Sequence, residues 1–255
     1  MNYNRLLQAV LDVAEEMLVC GAEVSRVEDS IERMCSAYGC DHTRINVFII
    51  TSNIQVTLED PDGNIITQIR RILRSNADFD KLDYLNDLSR YICANKPSVE
   101  EIRQRYDKVM SRKNYPGWFV CLGSAMAAGG FAVFFGGSLV DGLAAAAAGV
   151  AIMIMMYFLG KVEPNQLAKT FIISFFTGIL ILLMMKLGFG EHEDKIMIGS
   201  IMLLIPGIAM TNSVRDMLIG DIVTGMLRLA NSLLQAAAIA CGFALSILLM
   251  GGGVI

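Results

Sequence analysis

The sequence predicts an α+β cytoplasmic domain followed by an all-α transmembrane bundle of about five helices. Three observations carry this. Charge is unevenly spread: 33 of the 46 Lys, Arg, Asp and Glu residues fall in the first 116 positions, leaving 13 for the other 139. The composition is 54% hydrophobic and 18% charged, against the roughly one-quarter charged typical of a soluble domain. Within the first half, the spacing of apolar residues runs from helical to alternating and back. The division near Pro116 gives residues 1–113 as the cytoplasmic domain and 114–255 as the transmembrane domain. A net charge of −4 without a basic block gives no reason to expect nucleic acid as a partner.

Leu6, Leu7, Val10, Ala14, Met17 and Leu18 form a helical stripe opposite Asp12, Glu15 and Glu16, and Gly21 is a natural stop. Val24, Val27, Ile31, Met34 and Tyr38 predict a second helix, whose other face carries Glu23, Arg26, Glu28, Asp29, Glu32 and Arg33. The β-branched runs 43–51 and 54–59, followed by the Pro61-Asp62-Gly63-Asn64 turn, predict a hairpin continuing into 65–70. Helical spacing returns at Leu82, Leu85, Leu88 and Ile92 and stops before Pro97. Ser98 with Glu101 is a capping box opening a further helix through Met110.

Spans are expected at about 117–138, 142–160, 168–188, 196–214 and 229–251, because about 20 apolar residues as helix cross a bilayer core. Tyr115 and Trp118 suit a headgroup-level anchor, and Lys169 and Lys186 can snorkel from the ends of the short third run. Small residues such as Gly123, Gly129, Gly130, Gly142 and Gly149 read as helix-packing faces.

Counting only Lys and Arg beside the spans, a cytoplasmic N-terminus keeps Arg112, Lys113, Lys161, Lys169, Arg215 and Arg228 inside and leaves Lys186 and Lys195 outside. Five spans then put the C-terminus and the 191–194 turn on the outer side of the cytoplasmic (plasma) membrane. Asp12, Glu15 and Glu16 interrupt the first apolar stretch, so a cleaved signal peptide is not expected.

The six cysteines show no C-x-x-C pair, and His42 and His192 are isolated from each other, so reduced structural thiols and no metal site are expected. No Walker A, G-x-G-x-x-G or G-x-S-x-G sequence is present, and neither a cofactor nor enzyme chemistry is expected. The unusual stretch is 205–228. Pro206 cannot donate to the carbonyl of Met202, and Gly207 beside it eases a helix break of the kind that transporters use to present backbone groups. Beyond the break, Thr211, Asn212 and Arg215 share a face, Asp216 lies one turn after Asn212, and Asp221, Gly225 and Arg228 follow. Arg suits carboxylate capture, and an Asp at the membrane boundary can exchange protons. Against this stands the plain reading that Arg215 and Arg228 are cytoplasmic flanking charges beside an ordinary kink. Asp141 is a weaker coupling candidate.

The segment Gly21-Ala-Glu-Val-Ser-Arg-Val-Glu-Asp29, the hairpin, and the set Pro206-Gly207, Thr211-Asn212, Arg215-Asp216, Gly220-Asp221, Gly225 and Arg228 resemble the threonine/serine exporter family over nearly the whole chain. The resemblance is to the split form, in which a YjjP-like subunit works with a smaller YjjB-like membrane subunit. It implies a secondary exporter of small carboxylates, succinate or threonine and serine, coupled to protons. Full-length members carry a second membrane half, which this chain, ending at Ile255, would take from the partner. A homo-oligomer is also open.

On this reading Thr211, Asn212 and Arg215 engage the substrate carboxylate, and Pro206, Gly207, Asp216, Asp221 and Arg228 serve coupling or gating. The competing reading makes the soluble half a metabolite-binding or hydrolase-like module on a membrane anchor, with Glu23, Arg26 and Glu28 as its candidates. No nucleophile and base stand at matching positions for a hydrolase, and a solvated helix face is the better explanation of that charge run.

Overall fold

The structure is a computed structural model that describes residues 2–50, 52–74, 77–113, 115–163 and 165–250. The expected order of an α+β domain followed by five membrane helices is not what the chain builds. Helix accounts for 72% of it, in ten α-helices with one small three-stranded sheet among the described residues. Two compact units form, and neither is continuous in sequence. One takes Met1–Lys113 with Ala209–Leu229, the other Asn114–Ile208 with Ala230–Ile255.

In the first unit α1 (Tyr3–Val19) and α2 (Val24–Ala37) bury the two apolar stripes, with Leu7, Val10, Met17, Val27, Ile31 and Met34 fully enclosed. Gly21 sits at φ +101, a left-handed turn that lets the chain leave α1 without strain. Strands β1 (Ile45–Ile50), β2 (Asn53–Glu59) and β3 (Ile65–Arg71) form an antiparallel meander in that order, so β1 is an edge. One face, carrying Ile49, Ile54, Val56 and Leu58, is buried. Asp60 closes the second turn, its carboxylate accepting from the backbone N–H groups of Asp62 and Asn64. Thr51, expected at the end of the first strand, lies outside the described residues.

The acidic side of α1 is engaged and not left to solvent. Arg70 on β3 reaches Asp12 at 3.3 Å and Arg74 reaches Glu16 at 2.6 Å, which leaves Glu16 buried. Helices α3 (Phe79–Asn95) and α4 (Val99–Met110) complete the unit, with Ile92 and Ile102 in the core. Only half of the expected capping box forms. Ser98 accepts from the Glu101 N–H, while the Glu101 carboxylate accepts instead from the Tyr91 hydroxyl and Arg105.

The second unit holds α5 (Gly117–Phe134), α6 (Leu139–Val162), α7 (Gln166–Lys186), α8 (Glu193–Ile201) and the rest of α10 (Ile222–Met250). Close backbone approach explains Gly129, Gly142 and Gly149, whereas a Cβ on Gly123 or Gly130, expected to pack in the same way, would meet nothing within 4 Å. A Cβ on Gly129 would meet the Gly142 carbonyl oxygen at 2.7 Å, and one on Gly149 the Ser124 carbonyl oxygen at 2.8 Å.

Among the described residues four helices, α5, α6, α7 and α10, are long and apolar enough to cross a membrane. The fourth expected span, 196–214, is not one of them. Helix α8 has 9 residues, about 14 Å of rise, far short of the roughly 30 Å apolar core. Residues 202–206 then turn, and α9 (Gly207–Leu218) starts beyond Pro206, whose missing N–H ends the first ladder. Helix α9 carries Asn212, Arg215 and Asp216 and joins the first unit from Ala209 onward. The last expected span starts earlier than 229, at Ile222, and residue 251 lies outside the described residues.

Candidate functional site

The polar residues behind Pro206 meet α2 and the edge of the sheet inside the first unit. Helices α9 and α10 are joined by a tight turn: Gly220 adopts φ +109, and the Asp221 N–H donates to the Asp216 carbonyl at 2.9 Å. The two helices pack so closely that a Cβ on Gly225 would lie 2.6 Å from the Ser213 carbonyl oxygen. This brings Asp216 against Arg228, whose Nη1 donates to Asp216 Oδ2 at 3.1 Å. The Asp216 side chain is fully buried, and its Oδ1 has no hydrogen-bond partner among the described residues.

Arg215, one residue earlier, points to α2. Its Nη1 donates to Glu23 Oε1 at 2.6 Å across 192 positions of sequence. Glu23 stands at the start of α2 but caps none of its amides, so its carboxylate serves Arg215 instead. One turn on, Glu28 accepts from the backbone N–H of Ile49 on the edge strand, while Thr224 Oγ1 donates to the Ile49 carbonyl at 3.4 Å. Both free backbone groups of that edge residue are thus taken, one by α2 and one by α10.

Four carboxylates, Glu23, Glu28, Asp216 and Asp221, therefore lie together, of which Glu23 is paired with Arg215 and Asp216 with Arg228. Burial raises Glu28 to a pKa of about 7, reinforced by the charges of Asp221, Glu32 and Asp216 and opposed by the Ile49 hydrogen bond. Burial also lifts Asp216 above the usual carboxylate range, aided by Asp221 and Glu23, while Arg228 pulls it down. Between its ordinary value of 4.5 and about 7, Glu28 keeps a proton in the folded chain that the unfolded chain has released. Its contribution to stability is therefore lost as pH rises through that window. Glu28→Gln is expected to remove this dependence and to melt above the parent at pH 8 but level with it near pH 4.5, in detergent melting curves.

The two ion pairs differ in what they can do. Arg215 is 59% exposed, and an exposed pair is worth about 0–1 kcal/mol, so another carboxylate can replace Glu23 at little cost. The Asp216–Arg228 pair is enclosed, and breaking it strands a charge. Of the residues expected from sequence, Arg215, Asp216, Asp221 and Arg228 converge with Glu23 and Glu28. Thr211 lies one turn earlier on the exposed side of α9 with Asn212 beside it, Pro206 and Gly207 mark the break, and Arg26 faces elsewhere, toward α3. Thr224 and the Ile49 backbone were not foreseen, because a lone threonine and a strand edge carry no pattern of their own.

Asp141 is more than a loop residue. Fully buried at the start of α6, it accepts from the N–H groups of Ser138, Glu191 and His192 and bonds His192 Nδ1 at 2.8 Å. Asp141, Glu191 and His192 bring potential ligand atoms within 4.8 Å of one another, but Asp141 is already saturated, so the arrangement is a clamp on the turn before α8. His42 is likewise engaged, 3.1 Å from Glu32, and the cysteines are free thiols.

Residues 8–250 match the family described as "Putative threonine/serine exporter". The chain belongs to the threonine/serine exporter family. This is a family of transporters rather than enzymes, and with four apolar helices this member is a multi-pass membrane protein. It is similar to the "Probable threonine/serine exporter" of Mycobacterium tuberculosis, 23% identical over 97% of this chain and 46% of the relative. The "Threonine/serine exporter" of Corynebacterium glutamicum is 26% identical over 92% of this chain and 49% of its own length. The "Probable succinate transporter subunit YjjP" of Klebsiella aerogenes is 24% identical over 92% of this chain and 90% of its own. The chain thus spans about half the length of the first two relatives. No solved structure matches it.

Proposed function

We propose that this exporter-family chain is a subunit of a proton-coupled exporter of small carboxylates, with the α2–α9–α10 cluster as its substrate and coupling site. The substrate carboxylate replaces Glu23 on Arg215, Thr211 and Asn212 flank its approach, and Glu28, Asp216 and Asp221 exchange the coupling proton. Pro206 and Gly207 supply the hinge between α8 and α9, and Arg228 holds Asp216 in place. The observation that carries the reading is the charge balance of the cluster. Four carboxylates gather around two arginine pairs, Glu23–Arg215 and Asp216–Arg228, and Asp216 Oδ1 is buried with no hydrogen-bond partner among the described residues.

The same balance favours a zwitterion over a dianion. A site with surplus carboxylates repels a second carboxylate of the substrate and attracts an ammonium. Threonine and serine fit this better than succinate.

We further propose that residues 1–113 and 209–229 lie in the cytoplasm, which keeps Arg112, Lys113, Lys161 and Lys169 on the positive side. With α5, α6 and α7 crossing in turn, the chain returns between Lys186 and Ala209 as a broken crossing, α8 followed by residues 202–208, and α10, 29 residues or about 44 Å long, carries it outward again. The half-length match to two relatives, and the word subunit in the name of the third, support a second membrane half supplied by a smaller YjjB-like partner.

The test is flux of labelled threonine, serine and succinate from proteoliposomes holding this chain with and without that partner, under an imposed pH gradient. Threonine and serine flux that needs both chains and collapses with the gradient is expected. Succinate flux alone would overturn the substrate choice, and flux of none by the complete complex would sink the exporter reading.

A further inference from the structure

One polar surface of the first unit plays no part in the transport cluster. Helices α2 and α3 lie side by side through Ile31, Leu85 and Ile92, and above that apolar seam their polar edges enclose a cleft of about 530 Å³. Helix α2 contributes Arg26 and Arg33, two turns apart on one face, and α3 contributes Arg90 with Asn86 one turn before it. Three guanidinia in one concavity repel one another unless anions neutralise them.

The chain supplies that neutralisation only in part. Arg33 is paired with Asp29 at 2.7 Å. Arg90 has Asp87 at 3.9 Å, the outer limit of an ion pair, and Asp87 is 65% exposed. The Arg26 guanidinium makes no hydrogen bond or ion pair among the described residues; only its backbone carbonyl accepts, from the Ser30 hydroxyl at 2.8 Å. A positive cleft is also out of keeping with its surroundings, since acids outnumber bases in residues 1–113.

The geometry points to a binding site for a phosphate-bearing anion in the α2–α3 cleft, held by Arg26 and Arg33 from the α2 wall and by Arg90 from the α3 wall. A guanidinium presents five donors in a planar fork that matches phosphate oxygens two at a time, so three forks suit a group with several charged oxygens better than a single carboxylate. The volume lies within the range of small-molecule sites and exceeds what a four-carbon acid fills. Asn86 adds a donor and an acceptor for the non-phosphate part. The occupant acts on the cytoplasmic unit as an effector and not as cargo, because Arg26 lines the cleft toward α3, while Glu23 pairs with Arg215 on α9 and Glu28 with the Ile49 backbone. Two sources present this chemistry, a free phosphate compound or the headgroup of an anionic lipid.

The full chain in neutral detergent should bind pyrophosphate or ATP in titration calorimetry at constant ionic strength. Arg26→Gln with Arg90→Gln should weaken that binding on the order of tenfold or more while leaving the unliganded melting temperature unchanged. Cys93, half-exposed in the same cleft, gives a second readout: ligand should slow its alkylation, followed by mass spectrometry, without changing that of Cys121. If only micelles doped with phosphatidylglycerol, and not phosphatidylcholine, protect Cys93 in the parent and fail to do so in the double variant, the phosphate is a lipid headgroup. No binding and no protection by any of these anions, or equal binding by the double variant, overturns the proposal.

Discussion

Arg215→Ala is expected to abolish export, with threonine efflux from proteoliposomes falling by at least about two orders of magnitude at unchanged protein abundance. Loss of a guanidinium that meets a desolvating carboxylate removes a charge-assisted, potentially bidentate contact, worth about 2–5 kcal/mol at a buried binding step. Stability should hardly move, because the Glu23 pair it breaks is exposed. Arg215→Lys should recover part of the flux, since it restores the charge without the planar fork. Glu23→Gln should act in the opposite sense and lower the apparent KM, because the resident carboxylate no longer competes. Parental efflux by Arg215→Ala would remove Arg215 from the substrate site.

Arg228→Ala is expected to give the largest loss of stability of any single change in the cluster. Asp216 has no exposed side-chain surface, and among the described residues Arg228 supplies its only ion pair. Removing one partner of a buried pair leaves an uncompensated charge and costs about 3–5 kcal/mol. The melting temperature in detergent should fall steeply at pH 8 and less at pH 5, where a carboxyl already raised by burial takes up a proton more readily. Adding Asp216→Asn should restore much of the loss by removing the stranded charge. A single variant that melts like the parent would show that the pair is dispensable.

The contrast between these two arginines could not be read from their positions. Both follow Pro206, both flank an apolar run, and both count equally toward membrane orientation. Their difference lies in enclosure: Gly225 lets α10 approach α9 and shuts Asp216 and Arg228 between the helices, whereas Arg215 leaves α9 on the open side. Glu23 and Glu28 were visible only as a charged helix face. They became part of the cluster because α2 meets α9 and the edge of β1, a meeting of segments nearly two hundred residues apart.

The error over the fourth span has a similar origin. Residues 196–214 contain no Asp, Glu, Lys or Arg, so a window of hydropathy reads them as one crossing. The Pro206 signal for a break was present, but its consequence was not: that the second piece would leave the apolar unit altogether and bury Ser213 and Asp216 in the charged one.

Local periodicity and turn chemistry by themselves determined the helices of the first hundred residues, the antiparallel turn at Asp60–Asn64 and the packing glycines Gly129, Gly142 and Gly149, while the motif residues behind Pro206 carried the resemblance to the family. These depend on neighbours within a few positions, where spacing and turn chemistry dominate. Only the tertiary structure decided that the first unit reclaims residues 209–229, that four apolar helices and not five are long enough to span, and that four carboxylates converge on two guanidinia. Those outcomes rest on burial and long-range ion pairing, whose energies depend on how far water is excluded, and a linear pattern does not record that.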